Sequence, residues 1–149
     1  MGFSRKGLVM SKVAVVYWSA TGNTEAMANA VAEGAKAKGA EVKVFTAGEF
    51  SESAVSEFDA IAFGCPAMGA EVLEETEFDP MFSAVEGFLN GKKTGIFGSY
   101  GWGDGQWMRD WKDRCDAAGA VLVNEGVMAN NAPDDDAIEA CKDLGAALA

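Results

Sequence analysis

The 149 residues are the length of a single domain, and a 49% hydrophobic content is enough to give it a core. Twelve Lys and Arg against 23 Asp and Glu leave a net charge of −11, and histidine is absent. That balance excludes a nucleic-acid binder, which needs a basic footprint. The missing histidine removes Ser-His-Asp and Cys-His catalysis and the commonest transition-metal ligand.

Residues 1–11 differ in kind from the rest. Arg5 and Lys6 are basic, none is acidic, and Gly2, Ser4, Gly7 and Ser11 punctuate the stretch. We expect an extension outside the fold, either a disordered arm or a remnant ahead of a start at Met10, with the folded domain spanning 12–149. The apolar run Leu8–Met10 is too short for a secretory signal, and no run is long enough to cross a bilayer.

From Lys12 onward, short apolar runs alternate with longer periodic ones. Val13–Trp18, Val42–Phe45, Ile61–Phe63, Gly95–Phe97 and Ala120–Val123 read as strands. They are nearly continuous in apolar character, as parallel strands covered on both faces must be. Between them, Met27, Ala30, Val31, Gly34 and Ala35 recur at helical spacing and stop at Gly39. Trp107, Trp111, Cys115 and Ala118 form a second stripe, ending at Gly119. Ile138, Cys141, Gly145 and Leu148 form a third, opened by Asp134–Asp136, whose charge suits a helix N-terminus. Shorter helices are expected near Ser53–Phe58 and Pro80–Leu89. The alternation predicts an α/β fold, a three-layer doubly wound sandwich around a five-stranded parallel sheet. Its site should lie beyond the carboxyl ends of the strands. Cys65, Cys115 and Cys141 have no paired spacing, so no metal site is expected and reduced thiols in a cytoplasmic setting are.

The first strand runs into Ser19-Ala20-Thr21-Gly22-Asn23-Thr24 and then a helix, so hydroxyls and free N–H groups meet a positive helix end. This is an anion pocket suited to one phosphate monoester. No Gly-Lys-Ser/Thr ending and no Gly-x-Gly-x-x-Gly is present there for a triphosphate or a dinucleotide. An ordinary helix cap would use the same residue types. Two later loops, Gly64-Cys65-Pro66-Ala67-Met68-Gly69-Ala70-Glu71 and Gly98-Ser99-Tyr100-Gly101-Trp102-Gly103-Asp104, each follow a strand. Met68 and Trp102 suit the two faces of a planar heteroaromatic ring. Trp107 and Trp111, spaced i and i+4, are expected in the core instead.

These three motifs in order resemble the flavodoxins, particularly the short-chain type, over residues 11–149. The resemblance implies strand order 2-1-3-4-5 and noncovalently bound FMN. By position, Ser19, Ala20, Thr21, Gly22, Asn23 and Thr24 would bind the phosphate. Ala67, Met68, Gly69, Ala70 and Glu71, with Ser99, Tyr100, Gly101, Trp102 and Gly103, would enclose the isoalloxazine, Pro66 would be a further cofactor-binding position, and Asn131 would lie near the ring edge. Gly69 resembles the glycine whose peptide turns its carbonyl to flavin N5–H, and Glu71 the acceptor for N3–H. Pro66 stands where some relatives have a phosphate-contacting serine, and Ala70 where relatives often have a polar residue.

The implied function is a low-potential one-electron carrier shuttling between semiquinone and hydroquinone, an electron-transfer protein and not an enzyme. Glu71, Glu74, Glu75, Glu77, Asp79 and Asp104 would ring the flavin with negative charge. That charge would steer redox partners with basic docking surfaces to a monomeric carrier, with no membrane and no nucleic acid involved. The alternative is an FMN-dependent NAD(P)H/quinone oxidoreductase on the same fold. A phosphoacceptor receiver domain shares the sheet order, but it needs acidic residues where Ser19 and Gly64-Cys65 stand.

Overall fold

The computed structural model describes residues 11–149. The expected extension, Ser11 apart, lies outside them.

The chain alternates strand and helix. In order the elements are β1 (Lys12–Tyr17), α1 (Asn23–Ala37), β2 (Glu41–Thr46), the single turn α2 (Glu52–Val55), β3 (Ala60–Gly64), α3 (Phe78–Val85), β4 (Lys93–Tyr100), α4 (Gln106–Ala117), β5 (Val121–Leu122), β6 (Val127–Asn130) and α5 (Asp135–Leu148). All the strand pairs are parallel, and the order across the sheet is 2-1-3-4-5, as the resemblance implied. The fifth position differs from the expected single strand. β5 pairs with Lys93 and Thr94 at the start of β4, and β6 pairs with residues 97–100 at its end. Asn124, Glu125 and Gly126 interrupt the strand between them, with Gly126 in the left-handed region at φ 105°.

β1 and β3 are the central strands, and their side chains alternate between two cores. Val13, Val15, Ala60 and Ala62 face α1 and α5. Ala14, Val16, Ile61 and Phe63 face the other side, where Phe78, Phe82 and Trp111 pack edge-on and stacked. Small alanines of β3 meet α1 and α5, whereas its large residues meet the aromatic layer. Trp107 and Trp111 are each 1% exposed, the core role expected of them. α3 begins at Phe78, ahead of the expected Pro80. The proline falls in the first turn, where a missing N–H costs nothing.

The ladder does not stop with the strands. Trp18 N–H donates to the Gly64 carbonyl (3.0 Å), Cys65 N–H to Phe97 (3.1 Å), Ala67 N–H to Ser99 (3.0 Å) and Asn131 N–H to Tyr100 (2.7 Å). Three loops at the carboxyl edge, those after β1, β3 and β6, are thereby held in register with the sheet.

Candidate functional site

Where those loops meet there is a cavity of about 260 Å³. From the loop after β1 it takes Ser19, Ala20 and Thr21, with Asn23 and Thr24 from the first turn of α1. Pro66, Ala67 and Met68 come from the loop after β3. Ser99 and Tyr100 come from the end of β4, Gly101 follows them, and Asn131 lies just beyond β6. The switch point between β1 and β3 is where an open α/β sheet leaves such a crevice.

The first loop is built around Ser19. Its Oγ accepts from Gly22 N–H (3.1 Å) and from Glu25 N–H (3.3 Å), leaving its own proton free to donate. Gly22 sits in the left-handed region at φ 96°, so the chain turns here and delivers α1 end-on to the cavity. The first N–H groups of a helix have no partner within it, and the start of α1 lines a pocket that also takes the hydroxyls of Ser19, Thr21, Thr24 and Ser99. No lining residue is cationic. The donor set therefore fits a phosphate monoester held by neutral groups and a helix end.

The rest of the lining is apolar or backbone. Ala67, Met68, Tyr100 and Gly101 offer walls for a flat ring, with peptide groups between them. Trp18 belongs here too, although the sequence reading took it only as the end of a strand. Its indole N–H donates to Glu77 Oε1 at 3.1 Å, which fixes the ring at the cavity edge. Its place immediately before the Ser19–Thr24 motif was the available signal.

Several expected residues lie outside the lining. Gly22 shapes the first loop without facing the space. Gly69, Ala70, Glu71, Trp102 and Gly103 belong to neighbouring surface, and Trp102 is 64% exposed. Glu71 has a definite engagement. Its Oε1 accepts from Gln106 N–H at 3.1 Å, capping α4 from another loop, and its backbone is left-handed at φ 53°. Gly103 is in the left-handed region at φ 90°, which favours glycine, and a Cβ there would come within 2.6 Å of that carboxyl. Glu71 and Asn131 are the two non-glycine residues of positive φ among the described residues, and both stand at this edge of the sheet.

The acidic rim is partly spoken for. Asp79 pairs with Arg114 (2.8 Å) and Asp104 with Arg109 (3.0 Å). Glu74 is not on the rim at all. It is 4% exposed and accepts from the Thr76 hydroxyl and from the N–H groups of Thr76, Glu77 and Phe78 at 2.8–2.9 Å. Burial pushes its carboxyl up, but those four donors outweigh it and hold the pKa down to about 2. The three cysteines are free and buried, and burial pushes the Cys115 and Cys141 thiols up to about 12, out of reach of thiolate chemistry. Among the described residues no cluster of acids and cysteines is placed to hold a metal ion.

A family model described as Flavodoxin matches residues 15–145. The chain belongs to the flavodoxin family. It is 45% identical over 140 residues to the flavodoxin of Megasphaera elsdenii, covering 92% of this chain and 98% of that protein. To the flavodoxin of Clostridium beijerinckii it is 42% identical, covering 91% and 97%. The solution structure of two-electron reduced Megasphaera elsdenii flavodoxin superposes with a TM-score of 0.85 at 46% identity, over 91% of this chain and 97% of that one. As a flavodoxin the chain is an FMN-binding electron carrier and not an enzyme, and the oxidoreductase alternative is not favoured.

Proposed function

We propose that this flavodoxin carries single electrons at low potential between a reductase and an acceptor enzyme, on FMN seated in the cavity between the loops after β1, β3 and β4. The observation that supports this reading is the division of labour within one cavity. Uncharged hydroxyls and a helix N-terminus are offered by the first loop, and apolar walls with peptide groups by the others. When bound, FMN supplies one-electron chemistry that no side chain of the protein has.

The protein's own part is holding, excluding and biasing. Ser19, Thr21 and Thr24 would hold the phosphate by donating to it, and the α1 dipole would add to them without a lysine or arginine. Met68 and Tyr100 exclude water from the ring. Gly69 would offer its carbonyl to the flavin by turning its peptide, a movement open to glycine because positive φ costs it little. Carboxylates that remain unpaired, Glu75 among them, make each added electron harder to place. At ~10 Å and effective dielectrics of ~20 to 80, one carboxylate contributes about 0.4 to 1.7 kcal/mol. The same field favours redox partners with basic docking surfaces, met by a monomer in the cytoplasm.

A spectroelectrochemical titration of the purified protein tests the reading. Two resolved one-electron steps are expected, the second at lower potential than free FMN shows. A single two-electron step would refute it.

A further inference from the structure

Ser99 ties three loops to one another. It belongs to β4, its carbonyl accepts from Ala67 N–H in the loop after β3 (3.0 Å), and its hydroxyl lies 3.0 Å from Thr24 Oγ1 at the start of α1. Its own N–H also donates to Thr24 Oγ1 at 3.4 Å. The two residues are 6% and 1% exposed, and both line the cavity. The family resemblance placed Ser99 beside the isoalloxazine, but its side chain is bonded to the helix that carries the phosphate loop.

We infer that Ser99 is a positioning residue for the phosphate end of the site: by bonding to the Thr24 hydroxyl it leaves the hydroxyl pair with one spare proton directed at the bound anion. The inference rests on the reading of the cavity as the FMN site. Proton counting carries it. Two hydroxyls bring two protons, and one is used between them whichever way the bond runs. Thr24 Oγ1 also accepts from Ser99 N–H, which locks the pair together, and whichever hydroxyl donates to the other, one proton is left over at the cavity that both residues line. Pro66 offers no donor and no lining residue is cationic, so each directed hydroxyl bears a larger share of anion recognition. A ligand without the phosphate has nothing to accept that proton and gains nothing from the pair.

Dissociation constants for FMN and for riboflavin, measured by flavin fluorescence on the full-length apoprotein, test this in the parent, Ser99→Ala, Thr24→Val and the double variant, with circular dichroism to verify folding. Ser99→Ala is expected to weaken FMN about tenfold and to leave riboflavin within about twofold. Thr24→Val should act the same way, so either variant decides the matter if the other does not fold. The double variant should lose less than the product of the single losses, because the two groups act as one. Equal losses for both ligands, an unchanged FMN constant, or fully multiplicative losses would overturn the inference. If the parent itself does not prefer FMN to riboflavin, the reading of the cavity falls and takes the inference with it. If the parent prefers FMN and Ser99→Ala keeps that preference, the inference alone falls.

Discussion

Glu74 shows how a single side chain can be both charged and buried. Among the described residues no cation pairs with its carboxylate, and four hydrogen-bond donors replace the water it gives up. Three of the four come from the backbone between Thr76 and Phe78, so the carboxylate is the cap that α3 otherwise lacks. With its folded pKa held near 2, below the ordinary 4.5, its contribution is complete above about pH 5 and disappears as pH falls toward 2. Glu74→Gln is therefore expected to lower stability by about 1–3 kcal/mol at neutral pH. Urea midpoints compared from pH 7 downward should show the gap between parent and variant closing below pH 5, and a constant gap would contradict the assignment. Gly69 poses the opposite case, a residue whose importance is not in the conformation seen. Its φ is not positive and a Cβ there meets nothing within 4 Å. Alanine fits this state and is penalised only if the peptide must turn. Gly69→Ala should bind FMN like the parent yet give less one-electron-reduced flavin at half reduction. An unchanged yield would show that the peptide does not turn.

Among the elements, α1 and α5 pack most tightly. A Cβ on Gly34 would run into the Lys142 carbonyl, and one on Gly145 into the Val31 carbonyl, so the helices cross backbone to backbone. Gly145→Ala forces that crossing apart and should cost about 1–3 kcal/mol, read as a lower urea midpoint with an unchanged m value. A neutral substitution would mean the helices can slide. The opposite face is held differently, with Arg114 of α4 bridging Glu86 and Asp79 while lying over the Phe82 ring at 4.9 Å. The long helices and buried strands were readable from the sequence because the period of their apolar residues is also the period of their burial. Val13 to Val16, Met27 to Ala35 and Trp107 to Cys115 are such cases. The split between β5 and β6 was not readable as a split. Val123 and Val127 are apolar on both sides of it, and what interrupts the strand is the left-handed Gly126, where a Cβ would press on the Met108 sulfur. α2 shrank to one turn because Phe58 packs beside Phe45 and Phe50 instead of extending the helix.

For the molecule as a whole, the strand order carries β1, β3 and β4 side by side, and three loops far apart in sequence become one wall of a cavity. That the first loop lines the cavity was readable because its signal is local, hydroxyls and a glycine ahead of a helix. The other walls were harder, since their place in the lining depends on how far each loop closes. Trp18 enters the lining from a strand end, and Trp102 stands out in solvent. The acidic field is likewise less uniform than the composition suggests. The chain carries −11, yet Asp79 and Asp104 are paired and Glu74 is buried, so fewer free carboxylates stand around the cavity than the composition implies. Among the described residues no helix is long and apolar enough to cross a membrane. The most direct measurement of the whole account is calorimetric titration of the apoprotein with FMN. It should give one site per chain with a dissociation constant below about 1 μM, a binding free energy beyond about −8 kcal/mol. Absence of binding, or binding in more than one copy per chain, would contradict it.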